Sequence, residues 1–295
     1  MWEQKSFQTE TSSTGTLYLV PTPIGNLDDI TFRALDVLKR ADLLAAEDTR
    51  QTMKLCSRFD IHVPLVSYHE HNKKTSGEKL MHELTAGKKI ALVTDAGTPA
   101  ISDPGADLVS ACIERQVPVV PLPGANAAVT GLVASGLPTD HFLFYGFLPR
   151  TGKERDQALH DLSVLPYTLI FYESPFRVLE TLKDIEKVFG SRRVSLSREL
   201  TKRYETFVRG SIGDVIALLD RRDKLKGEIC LIVEGGGKAE RTENLWWAAL
   251  DIPAHVDRYV NDQHLTVKEA MKRTAADRAL PKREVYRIYH RIGEE

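Results

Sequence analysis

A two-domain α/β architecture with a small C-terminal helical appendage is the fold class this sequence predicts, and three observations predict it. Short β-rich runs alternate with amphipathic helical stretches through residues 16–125. A second set of such elements follows the breaker cluster Gly136-Leu137-Pro138 and includes two strands with no helix between them. A flexible triplet, Gly235-Gly236-Gly237, then precedes two further helical patterns.

The first-half strands are expected at Leu17–Val20, Leu43–Ala46, Pro64–Ser67, Ile90–Thr94 and Val117–Leu122. Helical patterns lie between them at Thr31–Arg40, Thr49–Phe59, Glu78–Ala86 and Ala106–Arg115. In the first helix Phe32, Leu35 and Leu38 recur at i, i+3 and i+6, which puts them on one face. Strands alternating with helices build βαβ units and hence a mostly parallel sheet. A helix at Asn126–Ser135 opens the second half, and the domain boundary is placed just before it. Strands follow at Phe142–Tyr145, Tyr167–Tyr172, Val194–Ser197, Glu205–Val208 and Ile229–Glu234, with helices at Glu154–Leu162, Phe176–Phe189 and Ile212–Leu219. Because Glu205–Val208 follows Val194–Ser197 so closely, antiparallel pairing is expected in this second sheet. Thr266–Leu280 and Pro281–Ile292 read as a helix-turn-helix-like pair, with Ala270, Thr274 and Ala275 facing Val285, Ile288 and Tyr289. The expected organisation is a flexible N-terminus over 1–15, α/β domains over 16–125 and 126–237, and the appendage over 238–295.

Composition limits the function classes. With 42% hydrophobic and 27% charged residues in 295, the chain has ordinary globular make-up. Its net charge of -1 argues neither for nor against a nucleic-acid partner. Between Arg192 and Lys226, however, ten Lys/Arg oppose five Asp/Glu. That stretch is either a solvated face or a docking surface for a polyanion. From Pro253 onward nine Lys/Arg oppose seven Asp/Glu, too small an excess to suggest DNA, so a packing appendage is expected. Cys56, Cys112 and Cys230 form no CxxC pair and fit a reducing compartment. With no signal-peptide pattern and no apolar run near the roughly 20 residues of a membrane span, a soluble cytoplasmic protein without a membrane partner is expected.

Three strand-to-helix loops carry the chemistry. The first, Pro21-Thr22-Pro23-Ile24-Gly25-Asn26-Leu27, is stiffened by two prolines and is neither GxGxxG nor a phosphate loop. The second runs from Val93 to Gly105 and contains two Gly, two Pro and two Asp over thirteen residues, more than a turn requires. Its Asp95 can accept hydrogen bonds from hydroxyl or ammonium groups, and the backbone N–H groups around Gly97 and Thr98 can hold a carboxylate. The third, Pro121 to Ala128, is built of small residues that leave room for a flat ligand, and it opens a helix whose N-terminus offers donors. Three such loops at one edge of a parallel sheet make a binding cleft.

Pro21–Leu27, Ala46-Glu47-Asp48-Thr49-Arg50, Asp95–Pro99 with Asp103-Pro104-Gly105, and Glu199-Leu200-Thr201-Lys202 resemble motifs of the tetrapyrrole-methylase superfamily. Together with Ser67–Asn72, Gly146–Pro149, Tyr172–Arg177 and Lys226-Gly227-Glu228, they are similar to the subfamily of bacterial 16S ribosomal RNA cytidine 2′-O-methyltransferases. The resemblance runs from Leu17 to Glu234, and the C-terminal helical pair looks like that subfamily's appendage. It departs at Ala125-Asn126, where relatives carry Pro and a small residue after the Pro-Gly. The resemblance implies a tetrapyrrole-methylase fold, a homodimer, S-adenosylmethionine as cofactor, and 16S ribosomal RNA of the small subunit as partner. Carried over motif by motif, it implies that Ile24, Thr94, Asp95, Thr98, Asn126 and Ala127 line the cofactor. Tyr172, Glu173 and Leu200 close the adenine side.

Methyl transfer from an activated sulfonium depends strongly on in-line positioning of the acceptor. A ribose hydroxyl is a poor nucleophile, so a base or an alkoxide-stabilising donor helps. Candidates are Glu47, Asp48, His69, Glu199 and Lys202, with Arg50 and Arg177 as phosphate clamps. Bland alternatives stand beside them: Glu47 could pair with Arg50 at a helix start, and His69 and His71 lack a third ligand, so no metal is expected. Two rival functions share these loops, a methylase of corrinoid or porphyrin precursors and a non-catalytic nucleotide-binding module. Bound porphyrin colour would favour the first, and absence of cofactor turnover the second.

Overall fold

The computed structural model describes residues 2–6, 14–221, 225–236, 247, 249–263, 265–278 and 280–290. Arg222, Lys224, Gly237, Ile292 and most of the N-terminal stretch lie outside these residues. The chain divides into two compact units, Met1–Gly235 and Gly236–Glu295.

The first unit contains two five-stranded sheets. One is made of β1 (Thr16–Leu19), β2 (Leu43–Ala46), β3 (Leu65–Ser67), β4 (Lys89–Val93) and β5 (Val119–Pro121), in the order β3-β2-β4-β1-β5. Every pairing in it is parallel, as the alternation of strand and helix predicts. The intervening helices are α1 (Phe32–Arg40), α2 (Thr49–Arg58), α3 (Lys73–Thr85) and α4 (Ala106–Glu114). Ala34 and Leu38 of α1 and Cys56 of α2 are buried with Val20, Leu44 and Val93. Leu80 and Leu84 of α3 and Leu108 of α4 are buried in a separate cluster with Leu17, Ala45 and Ile90. Helices thus cover both faces, and the strands read as continuous apolar runs. Phe32 stays 93% exposed, so the face expected to carry it inward turns on Ala34 and Leu38 instead. Residues 2–6 of the N-terminus are held, not loose: the Gln4 amide donates to Val119 O (2.7 Å) and accepts from Val119 N (2.9 Å) on edge strand β5.

The second sheet is made of β6 (Phe142–Phe147), β7 (Thr168–Glu173), β8 (Arg193–Arg198), β9 (Thr206–Ser211) and β10 (Ile229–Val233), in the order β6-β7-β10-β8-β9. Only β6 and β7 pair in parallel, and the β8–β9 hairpin is antiparallel as its short connection predicts. One face is covered by α6 (Gly152–Ser163), α7 (Val178–Phe189) and α8 (Ile212–Asp220). The other face buries Ala128 and Leu132 of α5 (Ala127–Val133) against Ile170, Cys230 and Ile232. Ile24 from the first loop and Leu200 join that same cluster.

The second unit holds three described helices, α9 (Ile252–Gln263), α10 (Val267–Asp277) and α11 (Lys282–Tyr289), around Val256, Tyr259, Ala270, Ala275 and Val285. Helix α9 was not expected. Pro253 looks like a breaker, yet in a first helical turn its missing N–H costs no intrahelical bond. Thr266 and Glu269 form a reciprocal capping box that starts α10.

Candidate functional site

Parallel pairing puts the C-terminal ends of β2, β4, β1 and β5 side by side at one edge of the first sheet. That places Glu47 and Asp48, the Thr94–Gly105 loop, the Pro21–Leu27 loop and the Leu122–Asn126 loop in adjoining positions. The loops are tied to each other. Thr22 and Gly97 exchange two backbone hydrogen bonds (2.9 and 3.0 Å), and the Thr22 hydroxyl donates to Thr94 O (3.0 Å). The Thr98 hydroxyl donates to Ala125 O (3.1 Å), joining the second loop to the third. Four non-glycine residues of the cleft loops have left-handed backbone: Ala100, Ser102, Glu199 and Thr201. Such conformations cost free energy and persist only where the surroundings hold them.

In the second sheet β10 runs antiparallel to β7 and β8, so its first residues sit beside their ends, with Ile229 opposite both Glu173 and Arg198. Tyr172, Leu200, Glu228 and Cys230 thereby meet the three loops across a cleft of about 470 Å³. Its lining includes Ile24, Glu47, Asp95, Thr98, Asn126, Ala127, Tyr172, Glu173 and Leu200 from the sequence-derived set. It also includes Asp103, Glu228 and Cys230 and, among the described residues, no Lys, Arg or His.

The acids are crowded. Thr94 is buried, and its hydroxyl donates to Glu47 Oε2 (2.8 Å) while also bonding the Asp103 carboxyl. One hydroxyl proton cannot serve both carboxylates. Burial, with Glu47 and Asp95 nearby, pushes Asp103 up to about 6. Burial, then Glu47 and Asp48, push Asp95 above the usual carboxylate range as well. On the facing wall burial pushes the Tyr172 phenol up to about 12, and Phe144 and Phe147 meet its ring edge-on at 4.9 and 5.7 Å.

A second cleft of about 470 Å³ adjoins the first and shares Ile24, Asp95, Ala96 and Glu228 with it. Its other walls are Thr22, Pro23, Gly25, Leu27, Thr94, Lys202 and the α2 residues Gln51, Thr52, Lys54 and Leu55. Lys202 Nζ is bracketed by Glu199 Oε1 (2.9 Å) and Glu228 Oε2 (3.0 Å). Glu199 also accepts from Glu228 N (3.0 Å). These partners outweigh partial burial, so the ammonium stays above its ordinary value and Glu199 below its own. Two glycines make this packing possible: a Cβ on Gly25 would overlap Lys202 Cγ, and one on Gly227 would overlap Glu199 Cγ.

Several expected roles are altered by what the side chains touch. Asp48 caps α2, accepts from Arg50 N (2.9 Å) and takes the Arg50 guanidinium on both oxygens (3.0 and 2.7 Å). Those bonds hold its carboxyl down at about 2, which removes it as a general base. The clamp role of Arg50 competes with the same pair, although its side chain is 82% exposed. Arg177 commits one guanidinium nitrogen to the protein, donating to Leu148 O (3.3 Å) and Pro149 O (3.2 Å) beside Glu173, which competes with a phosphate-clamp role. Glu173 is 3% exposed, its carboxylate accepting from Ser174 N and the Thr181 hydroxyl at 2.7 Å each. His69 lines neither cleft; it follows β3 and stacks edge-on with His71 at 6.0 Å. Donors at the start of α5 are already engaged, Ala128 N by Asn126 Oδ1 (3.0 Å) and Tyr172 Oη (3.2 Å), and Val129 N by Asn126 (3.2 Å). Gly97 N is likewise engaged by Thr22 O.

Several cations of the basic stretch are held by the protein's own oxygens, although Arg193, Arg203, Arg209, Arg221 and Lys226 stay exposed. Arg192 bonds Ser163 O (2.7 Å), Arg193 pairs with Glu234 (2.5 Å), Arg198 bonds Lys226 O (3.2 Å), and Arg209 bonds Ala134 O (2.9 Å). Sequence reasoning assigned no role to Asp103, Glu228 and Cys230. Asp103 and Glu228 stood inside quoted motifs, whereas Cys230 enters the cleft through strand register alone.

Residues 16–216 match the model of the tetrapyrrole (corrin/porphyrin) methylases. The chain is 54% identical over 290 residues to ribosomal RNA small subunit methyltransferase I of Halalkalibacterium halodurans, covering 98% of this chain and 99% of that one. It is 53% identical over 280 residues to the protein of the same name from Bacillus subtilis, with 95% of each covered. Among solved structures, uroporphyrin III C-methyltransferase of Thermus thermophilus superposes with a TM-score of 0.53 at 19% identity, over 77% of this chain and 99% of that one. By matches that span nearly its whole length, the chain belongs to the tetrapyrrole methylase family, in the group named ribosomal RNA small subunit methyltransferase I.

Proposed function

We propose that this chain methylates the ribose 2′-oxygen of a cytidine in 16S ribosomal RNA, using S-adenosylmethionine, as a cytoplasmic homodimer. The whole-length relationship to proteins named as small-subunit ribosomal RNA methyltransferases carries the reading. The first cleft supports it physically. The cofactor has a sulfonium and an ammonium, and the cleft offers Glu47, Asp95, Asp103 and Glu228 with no cation in its lining. Thr98 N and Ala127 N have no acceptor among the described residues and suit the cofactor carboxylate. Ile24, Tyr172 and Leu200 supply an apolar slot for the adenine. Glu173 supports that wall through Thr181 and does not face the ligand with a free carboxylate. Asn126 shapes the third loop as the cap of α5, and Thr94 holds Glu47 in place.

The cofactor supplies a methyl group on positively charged sulfur, which leaves as a neutral thioether. The chain's own work is to orient the acceptor hydroxyl, exclude water and accept one proton. Lys202 Nζ stands at the second cleft and can donate to the developing alkoxide. Glu228 lines both clefts and is the acid best placed to take the proton, with Glu47 also in the first cleft and Glu199 holding Lys202. The test is transfer of labelled methyl to small ribosomal subunits, followed by alkaline hydrolysis of the RNA. A 2′-O-methyl group blocks cleavage at its own linkage, so label in an alkali-resistant dinucleotide is expected. Label released as a mononucleotide would place the methyl on a base and refute the ribose assignment.

A further inference from the structure

The two clefts differ in charge although they are equal in volume. The first is lined by five acids, Glu47, Asp95, Asp103, Glu173 and Glu228, and by no base. The second balances Asp95 and Glu228 with Lys54 and Lys202, and adds Gln51, three threonines and an aliphatic wall. An anionic cleft retains a cationic small molecule and repels a nucleotide. The second cleft has no such excess of acid, and one of its two cations is not neutralised by a carboxylate. Lys54 Nζ donates to Gln51 Oε1 (3.1 Å), a neutral partner, and pairs with no carboxylate among the described residues. Lys202, in contrast, is held between two glutamates. Leu27 is 42% exposed and faces the same space as Leu55, an apolar surface at the mouth of a polar cleft.

Resting on the proposed function, we infer that the second cleft receives the acceptor nucleotide of a single-stranded RNA segment. The base lies on Leu27 and Leu55 beside the Gln51 amide, the adjoining phosphodiester meets Lys54, and the ribose points to the shared wall of Ile24, Asp95, Ala96 and Glu228. Apolar and amide surfaces suit an unstacked base, and a lysine ammonium suits a phosphodiester. The shared wall is where a group held in one cleft comes within reach of a group held in the other, as in-line transfer requires.

The test compares wild type, Lys54→Ala, Lys54→Arg and Leu27→Trp. Cofactor affinity is read by calorimetry and methylation by labelled cofactor with small ribosomal subunits as the probe. Lys54 and Leu27 are exposed, and cofactor binding reports that each variant is folded. Lys54→Ala is expected to raise the half-saturating subunit concentration roughly three- to tenfold, most at lower salt, with Lys54→Arg close to wild type. Leu27→Trp fills the cleft and is expected to lower kcat/KM for subunits by about tenfold or more. Cofactor affinity should stay within about twofold throughout. If wild type methylates subunits and neither Lys54→Ala nor Leu27→Trp changes their use, the cleft assignment is overturned and the function stands. Parallel loss of cofactor affinity would make the second cleft part of the cofactor site and also overturn it. If wild type methylates a carboxylated tetrapyrrole and not subunits, both readings fall.

Discussion

Cofactor affinity should depend on pH through Asp103, and the dependence has a definite sign. The carboxyl sits in the first cleft with its pKa pushed up to about 6 by burial and by Glu47 and Asp95. Below that value it is neutral, and the cleft loses one negative charge facing a cationic ligand. A ligand that binds only the ionised form loses affinity by a factor of about 1 + 10^(pKa − pH), which is roughly tenfold between pH 8 and pH 5. Calorimetric titration of S-adenosylmethionine from pH 5 to pH 8 should therefore show affinity rising through about pH 6 to a plateau. Asp103→Asn should flatten that rise and leave affinity near the wild-type low-pH level throughout. Folding is linked in the opposite sense. A carboxyl raised above its unfolded value favours the protonated folded state, so this group's penalty to stability grows as pH rises from about 4 to about 6. Affinity that stays constant across this range in the wild type would refute the placement of Asp103 against the cofactor's positive charge.

Further predictions concern individual side chains. Asp95→Ala should weaken cofactor binding by about tenfold or more, since a charge-assisted hydrogen bond contributes roughly 1.5–3 kcal/mol; Asp95→Asn, which keeps an acceptor for Asp48 N, separates lost charge from lost loop structure. Lys202→Ala should depress kcat on the order of 10²-fold with cofactor affinity intact, checked by single-turnover kinetics beside calorimetry. Gly227→Ala should cost at least about 1 kcal/mol in urea unfolding, because φ is +96° there and the added Cβ meets the Glu199 stem. Arg177→Ala should lower Tm without changing the salt dependence of subunit binding, since its guanidinium serves Leu148 O and Pro149 O; a flattened salt slope would restore it as a phosphate contact.

Much of this was legible in the sequence for identifiable reasons. Alternating strand and helix patterns implied the parallel first sheet, and the short Val194–Val208 connection implied the antiparallel hairpin. Gly/Pro-rich strand ends marked the cleft loops because a bare turn has no need of thirteen stiff residues. Side-chain partners were less legible, because they depend on distances that no motif encodes. Arg50 reaches back to its own helix cap, and Arg177 reaches carbonyls nearly thirty residues away (|i−j| of 29 and 28). The charge excess between Arg192 and Lys226 is largely exposed, yet Arg192, Arg193, Arg198 and Arg209 are held by backbone oxygens or a nearby acid, which no charge count reveals. Cys230 entered the cleft because β10 runs against β7, which is a property of register and not of composition. Helix α9 was not expected, and Pro253 is compatible with it because it stands in the first helical turn.

The most direct test of the central claim offers labelled S-adenosylmethionine to the pure protein with two acceptors in separate reactions. One contains small ribosomal subunits and the other a carboxylated tetrapyrrole precursor of the kind used elsewhere in this fold family. Label is expected in the RNA, recovered as 2′-O-methylcytidine after nucleoside digestion, and none in the tetrapyrrole. Label in the tetrapyrrole with unlabelled subunits would contradict that claim.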